Sequence, residues 1–470
     1  MWVCATLGEA YLLLGDATAA RGRYRQSLAI AREFGLDGDL SSMRRQLVLL
    51  RDVPQTRPIA ESLLALFPLC PVVIFAGHGI DRPGDPVRFP DDPALALAVG
   101  QAIREHLDAL ETTRTFCSPG SGSDVIFCEL MLERAGELHL VWPFDEEDFL
   151  FERVDFGLAE MGEWRRRYGA VRGLLRHFAT TEPYLDDRVL YDFGGTFMQG
   201  LALMHAAQLG VKPIALVVRD PASPPDSGLT TFIDNWKRTG HELREIDLAE
   251  LRERVGARPV PMPPMPPRPA GKTPPRSLRA MLFADVSGYS RVGEVDLPRF
   301  VETFLRIVAE ELRTGPTQPA ARNTWGDALY LVFDTVAECA EFALRLLGKL
   351  NEMELGEYGF ETANEKRAGV RIGLHYGPVF AIDPDPIIGR RSFFGSHVNR
   401  AARIEPITLV GAAFASEQFA SALALTPNHR FQCEYLGLFA LDKNYDDLCP
   451  LYRLTEAPGV SRAVPAVAQS

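Results

Sequence analysis

Two aspartates each border an apolar run. Asp285 closes RAMLFAD, residues 279–285, and a Ser-Gly turn and the helical pattern LPRFVETFLRIVAEELR follow it. Asp327 stands between Gly326 and ALYLVF, residues 328–333. A carboxylate at the mouth of a buried strand needs a partner, a hydrogen-bond network or a metal. Two such carboxylates in one small domain can hold one or two hard divalent cations, because Mg²⁺ takes oxygen ligands, usually carboxylates plus substrate phosphates. Two adjacent metals can clamp the attacking and leaving oxygens of an in-line phosphoryl displacement. The Gly288 loop behind Asp285 offers backbone N–H groups suited to phosphate. A third stretch, RRSFFGSHVNRAARIEP, carries Asn399 and Arg403 at i and i+4, on one helix face. An amide and a guanidinium there can position a ribose and stabilise charge growing on a phosphate.

These residues need elements to hold them, and 470 residues predict more than one core. Residues 1–50 have helical spacing, with Leu7, Gly8 and Tyr11, a Gly15-Asp16 turn, then Ala20, Tyr24 and Leu28. That is the spacing of one tetratricopeptide helix pair, which cannot bury its own faces and must dock on something. A plain amphipathic hairpin is the other reading. Residues 65–252 alternate apolar strands with helical stretches, which predicts a Rossmann-like parallel sheet with helices on both faces. Ligands in such sheets sit at the carboxyl ends of the strands. Two loops are expected there, GHGID and SPGSGSD. Residues 255–278 contain nine prolines and read as an extended spacer. The third domain then runs over residues 279–455, with residues 456–470 as a flexible tail.

In the middle segment, Gly122, Ser123, Asp124 and Glu129 resemble the motif of SLOG-type nucleotide-sensor domains. That resemblance implies a nucleotide or other small-molecule ligand; alternatively Asp124 simply caps its helix. In the last segment the resemblance is to the class III nucleotidyl cyclase catalytic domain. FADVSGY resembles the family's first metal motif, with Asp285 as ligand. TWGDALYLVF resembles the second, with Asp327 as ligand. FFGSHVNRAAR resembles the helix carrying the ribose-positioning Asn399 and the transition-state Arg403. The resemblance implies an α+β sandwich around a mostly antiparallel sheet. It also implies two Mg²⁺ or Mn²⁺ ions, a triphosphate cradled by the backbone of Val286, Ser287, Gly288, Tyr289 and Ser290, and cyclisation of a nucleoside triphosphate. The family builds its site between two catalytic domains, so a homodimer is expected. Lys443 lies where the family often has a phosphate-contacting lysine, and a solvated turn lysine is the competing reading.

The base-reading positions depart from the family. Asn323 and Ser392 stand where a Lys/Asp pair would read adenine or a Glu/Cys pair guanine. ATP is the first expectation, with GTP or a pyrimidine triphosphate next. A catalytically silent nucleotide sensor and a partner-recruiting scaffold, through the helical repeat, remain open alternatives. The net charge of −12, with no basic run, argues against nucleic acid or an anionic membrane as the main partner. Seven cysteines without a CxxC pair read as reduced thiols. The longest apolar stretch, LLALFPLCPVVIFAG, is broken by Pro68 and Pro71. A cytoplasmic location is the expectation. His375 and His397 lack metal-ligand spacing and read as structural. Tyr191-Asp192-Phe193-Gly194 resembles a kinase string but lacks its context.

Overall fold

A computed structural model describes all residues except 34–36, 68–69, 225–227, 268–273, 290–291, 354, 359–368, 428–429, 442–447 and 458–470. Four helices open the chain: α1 Trp2–Leu13, α2 Ala17–Glu33, α3 Asp37–Arg51 and α4 Arg57–Leu64. Ala5, Leu12, Tyr24, Leu28, Met43, Leu47 and Leu63 form their shared core. Helix formation thus continues past residue 50, and a second hairpin supplies surface that one pair lacks. Gly8 lets the Tyr24 ring close against α1, since a Cβ there would lie 2.8 Å from it.

Next comes an alternating segment: β1 Val72–Gly77, α5 Pro93–Leu110, β2 Arg114–Cys117, α6 Ser123–Glu133, β3 Glu137–Trp142, α7 Glu146–Leu150, α8 Gly162–Val171 and β4 Leu175–Phe178. It continues with α9 Val189–Leu209, β5 Pro213–Arg219, α10 Gly228–Arg238, β6 Glu242–Asp247 and α11 Leu248–Val255. The six strands are parallel, in the order β4-β3-β2-β1-β5-β6. Successive side chains of a strand point to opposite faces. Val73 and Phe75 therefore meet α5 through Leu95, Val99 and Ile103, while Val72 and Ile74 meet α9 and α10 through Phe197, Leu201 and Trp236. Asp92 starts α5 by accepting from the N–H groups of Ala94 and Leu95. The helical part docks here as well: Arg44 donates to the Leu209 carbonyl at 2.7 Å.

Residues 257–267 carry no helix or strand, as the prolines require. They are not a detached spacer, because Met262 and Met265 pack on the sheet domain's core. The last domain comprises β7 Ser277–Ser287, α12 Leu297–Thr314, β8 Ala321–Trp325, β9 Ala328–Phe333, α13 Val336–Asn351, β10 Gly369–Ile382 and β11 Ser392–Phe394. It ends with α14 Ser396–Ile404, β12 Ala412–Ser416, α15 Glu417–Ala424, β13 Phe431–Ala440 and β14 Leu448–Glu456. Its main strand order is β13-β14-β12-β10-β7-β9-β8, with β11 on β10. Only the β10–β12 pair is parallel. Ala280, Leu282, Ala284 and Val286 face α12 and α13, while Met281 faces α14. Two glycines of β10 admit α14: a Cβ would meet His397 at 2.2 Å from Gly377 and Glu405 at 2.6 Å from Gly373.

The sheet domain and the last domain are packed together. Arg276, just before β7, is buried, and its Nε pairs with Asp187 at 2.8 Å. Its Nη2 also donates to the Tyr184 carbonyl at 2.8 Å. His397 Nε2 lies 3.1 Å from Thr180 Oγ1, and Gln418 donates to the Ala179 carbonyl at 3.3 Å.

Candidate active site

Asp285 is the ninth residue of β7, on the face that α14 covers. Asp327 follows Gly326, whose φ of +70° makes the tight β8–β9 turn that only glycine adopts without strain. The turn folds Asp327 back towards Asp285, close enough for the two carboxyls to act on each other. Asp327 is buried. Burial, then the Asp285 charge, pushes its pKa up to about 7. Two carboxylates that repel each other suit a divalent cation, which replaces the Asp327 proton with a stronger positive charge. The residues present therefore fit the expected metal.

The structure adds two residues that the sequence reading missed. Arg371 is directly opposite Asp285 in the β10–β7 register. Its Nη2 lies 2.9 Å from Asp285 Oδ2 and 2.7 Å from Glu405 Oε1. Burial pushes Glu405 up to about 7, with Arg371 pulling the other way and Asp285 adding repulsion. The Arg371 Nε is buried with no hydrogen-bond partner among the described residues. One signal was present in the sequence, a lone arginine inside the apolar strand GVRIGLHYG. Glu405 directly follows α14, in the stretch already singled out.

The remaining expected residues divide into groups. Ser287, Gly288 and Tyr289 are half-buried beside Asp285, and Gly288 has φ +92°. Tyr289 reaches across the loop, with its hydroxyl 3.5 Å from the Cβ position of Gly326. Ser290 and Lys443 lie outside the described residues. Asn323 pairs across the hairpin with Tyr330, whose hydroxyl donates to the Phe393 carbonyl at 3.4 Å. The hairpin therefore adjoins β11, where Ser392 pairs with Ile382.

His397, Ala401 and Ile404 are the buried positions of α14. At 100° per residue, Asn399 and Arg403 fall on the opposite side of that helix. Asn399 is exposed, and its side chain has no hydrogen bond to Asp285 or Asp327 among the described residues. One chain thus brings the two aspartates together but turns Asn399 and Arg403 away from them.

In the sheet domain, Ser123 and Asp124 are buried. Asp124 accepts from the Gly77 N–H at 3.0 Å, tying the start of α6 to the end of β1; it does not cap its own helix, whose N-cap is Gly122. The Ser121 and Ser123 N–H groups donate to the carbonyls of Arg153 and His78. Gly122 has φ +73°, and a Cβ there would lie 2.9 Å from the His78–Ile80 backbone. Glu129 is bonded through both oxygens to Arg167, at 2.9 and 2.6 Å. The helix start expected to receive an anion is occupied by the protein's own chain.

A mixed sheet with paired aspartates at adjoining strand ends is an arrangement that can hold divalent cations beside nucleotide phosphates. Residues 275–443 match the adenylate and guanylate cyclase catalytic domain, a lyase domain of class III type. An adenylate cyclase of Schizosaccharomyces pombe is 28% identical over 166 residues, covering 32% of this chain and 10% of that protein. An adenylate cyclase of Streptomyces griseus is 29% identical over 144 residues, covering 29% of this chain and 31% of that protein. The chain therefore spans less than a third of either relative. Among solved structures, the guanylate cyclase domain of RhGC from Catenaria anguillulae, in complex with GTP, is 20% identical. It covers 38% of this chain and 97% of its own, with a TM-score of 0.31. The adenylyl cyclase CyaB from P. aeruginosa is 18% identical over 40% of this chain and 97% of its own, with a TM-score of 0.32. Among the described residues, no helix is long and apolar enough to cross a membrane.

Proposed function

We propose that this chain converts a nucleoside triphosphate, ATP before the others, to a 3′,5′-cyclic nucleotide and pyrophosphate. The observation that carries the proposal is the juxtaposition of the Asp285 and Asp327 carboxyls at adjoining strand ends, where each charge repels the other and a divalent cation would relieve both. Asp285 and Asp327 would hold two Mg²⁺ or Mn²⁺ ions, which when bound supply charge neutralisation and acidify the ribose 3′-hydroxyl. The 3′-oxygen forms the new bond to the α-phosphorus. The bond to the bridging oxygen breaks, pyrophosphate leaves, and the hydroxyl proton passes to solvent. Backbone N–H groups of Val286 to Tyr289 would orient the triphosphate. Arg371 is placed to restrain Asp285 until substrate arrives.

Asn399 and Arg403 face away from their own aspartates, which supports a two-fold homodimer. Each chain would lend Asn399, to position the ribose, and Arg403, to stabilise the developing charge, to the aspartates of the other. Two relatives named adenylate cyclase support ATP as the first substrate. Asn323 and Ser392 sit in the base-reading positions and keep GTP and pyrimidine triphosphates as the next choices. The helical hairpins would recruit a protein partner, and the sheet domain would regulate the cyclase through α14. The test incubates purified protein with Mn²⁺ and each of ATP, GTP, CTP and UTP, reading cyclic product and pyrophosphate by mass spectrometry. Product from one triphosphate, absent with Asp327→Ala, supports the reading. Nucleotide binding without product from any of the four favours the silent sensor.

A further inference from the structure

The sheet domain carries a second cluster of metal-ligating side chains, remote from the cyclase aspartates. Glu137 and His139 are alternate residues at the start of β3, so they share the face that α9 covers. The last turns of α9 bring His205 over them. The Glu137 Oε1 lies 2.8 Å from His139 Nε2 and 3.9 Å from His205 Nε2. All three ligand atoms fall within 4.8 Å of one another. Zinc bonds of about 2.0–2.1 Å in a tetrahedron separate ligand atoms by roughly 3.3 Å. Small side-chain adjustments therefore suffice.

We propose that Glu137, His139 and His205 form a site for a first-row transition cation, Zn²⁺ foremost, with a fourth position open to water. Two imidazoles and one carboxylate are the donor set that Zn²⁺ accepts, whereas Mg²⁺ prefers oxygen alone. The surroundings are built as metal sites are built. The other oxygen of Glu137 accepts from Arg114 Nε at 3.0 Å, which fixes the carboxylate. His139 Nδ1 lies 3.0 Å from His177 Nε2, so it can donate to His177 once its Nε2 ligates metal. Phe116 stacks on the His139 ring at 4.4 Å and holds its plane.

A pocket of about 110 Å³ reaches the cluster from outside, lined by Arg45, Arg114, Glu137, His205 and Gln208. Ions can therefore enter, and α3 contributes part of the mouth. A bound ion would tie β3 to α9, the helix that also packs against α15.

The experiment uses the full chain stripped with a chelator. Zn²⁺ is added, excess is removed by gel filtration, and zinc per chain is measured by mass spectrometry. Co²⁺ replaces Zn²⁺ in a parallel absorption titration. The wild type and Asp327→Asn are both expected to retain one zinc per chain. Both should show the intense visible bands of tetrahedral Co²⁺, which an all-oxygen octahedral site lacks. His205→Ala and Glu137→Gln are expected to weaken binding at least about a hundredfold, with an unchanged circular dichroism spectrum. Two variants guard against misfolding of either one. No retained zinc in the wild type, equal zinc in both cluster variants, or zinc lost only with Asp327→Asn would each overturn the assignment.

Discussion

Gly200, in the middle of α9, touches the cyclase domain without a side chain. A Cβ built there would stand 2.1 Å from the Ser421 carbonyl oxygen, 2.4 Å from its carbon and 2.5 Å from its Cα. All three atoms are backbone and cannot rotate away. Ordinary contact requires α9 and α15 to separate by more than about 1 Å. Overpacking of this kind costs about 1–3 kcal/mol. The gain in helix propensity from Gly to Ala, about 0.5–1 kcal/mol, opposes it only partly. Gly195 lies five residues earlier in the same helix, and its nearest neighbour would be Phe232 Cδ2 at 4.0 Å. Gly195→Ala therefore keeps the propensity gain and avoids the clash. At about 2–4 °C per kcal/mol for units of 150–250 residues, Gly200→Ala should melt several degrees below wild type. Gly195→Ala should melt at or above it. Because the strain falls between domains, Gly200→Ala should also speed proteolytic cutting between residues 255 and 278. A Gly200→Ala protein that melts and is cut like wild type would refute the described contact between α9 and α15.

Three further outcomes follow from the same contacts. Arg276→Ala strands Asp187 and two carbonyls at a buried junction and should lower stability by about 3–5 kcal/mol in a urea titration. A change below about 0.5 kcal/mol would mean the junction is open in solution. Asp327→Asn should reduce cyclic nucleotide formation by about a hundredfold or more. Its melting temperature should not fall, because a repulsive partner of Asp285 is removed, and a large drop would contradict the strained pair. The third outcome concerns pH. The folded pKa of Asp327 is raised from 3.8 to about 7, so the folded state holds a proton that the unfolded chain has lost. Stability of the metal-free protein is fully present below about pH 4 on this account and declines as pH rises towards 7. Glu405 acts in the same direction. Metal expels the Asp327 proton, so calorimetric Mn²⁺ affinity should climb up to about tenfold per pH unit below 7 and then level off. An affinity flat from pH 5.5 to 8 would count against the Asp327 proton.

What was legible in the sequence was local. Asp285 and Asp327 announced themselves as charges against apolar strands, and the helix bearing Asn399 and Arg403 was legible through the resemblance of FFGSHVNRAAR, with the i, i+4 spacing placing both on one face. The strands of the middle domain with unbroken apolar runs were equally plain. β4 was not, because LRHF is an edge strand with two exposed residues and little periodicity. The packing of Met262 and Met265 was hidden by the prolines around them, since proline shapes the backbone but does not say what flanking residues touch. Asp124 shows the opposite failure. Its glycine-rich setting reads as a ligand loop, and the close approach of the Gly122 backbone to His78–Ile80 is a packing contact that no local pattern announces. Residues brought together by topology were the least visible. Glu137 and His205 are separated by a strand, two helices and a sheet edge, and only the α9 crossover places them side by side. Arg371 owes its place opposite Asp285 to strand register, which no local pattern encodes.

That register also bears on how regulation would work. α14 is anchored at both ends, and Asn399 and Arg403 lie between the two anchors. At one end, buried His397 sits between His375, at 2.8 Å, and Thr180 of the sheet domain. Just beyond the other end, Glu405 is tied through Arg371 to Asp285. A shift of the sheet domain that moved Thr180 would leave a buried imidazole nitrogen unpaired, at a cost of about 1–3 kcal/mol, unless His397 followed. If His397 follows, Asn399 moves with it, because both ride one rigid helix. Arg371 resists that motion from the metal side. A ligand or bound ion in the sheet domain can therefore change the cyclase only by favouring one position of α14 over another. The energy available is bounded by that ligand's difference in affinity for the two positions. A metal that ties β3 to α9 would act on the helix whose Phe193 ring meets His397 edge-on at 5.5 Å, which makes zinc occupancy and cyclase rate the two quantities to measure together.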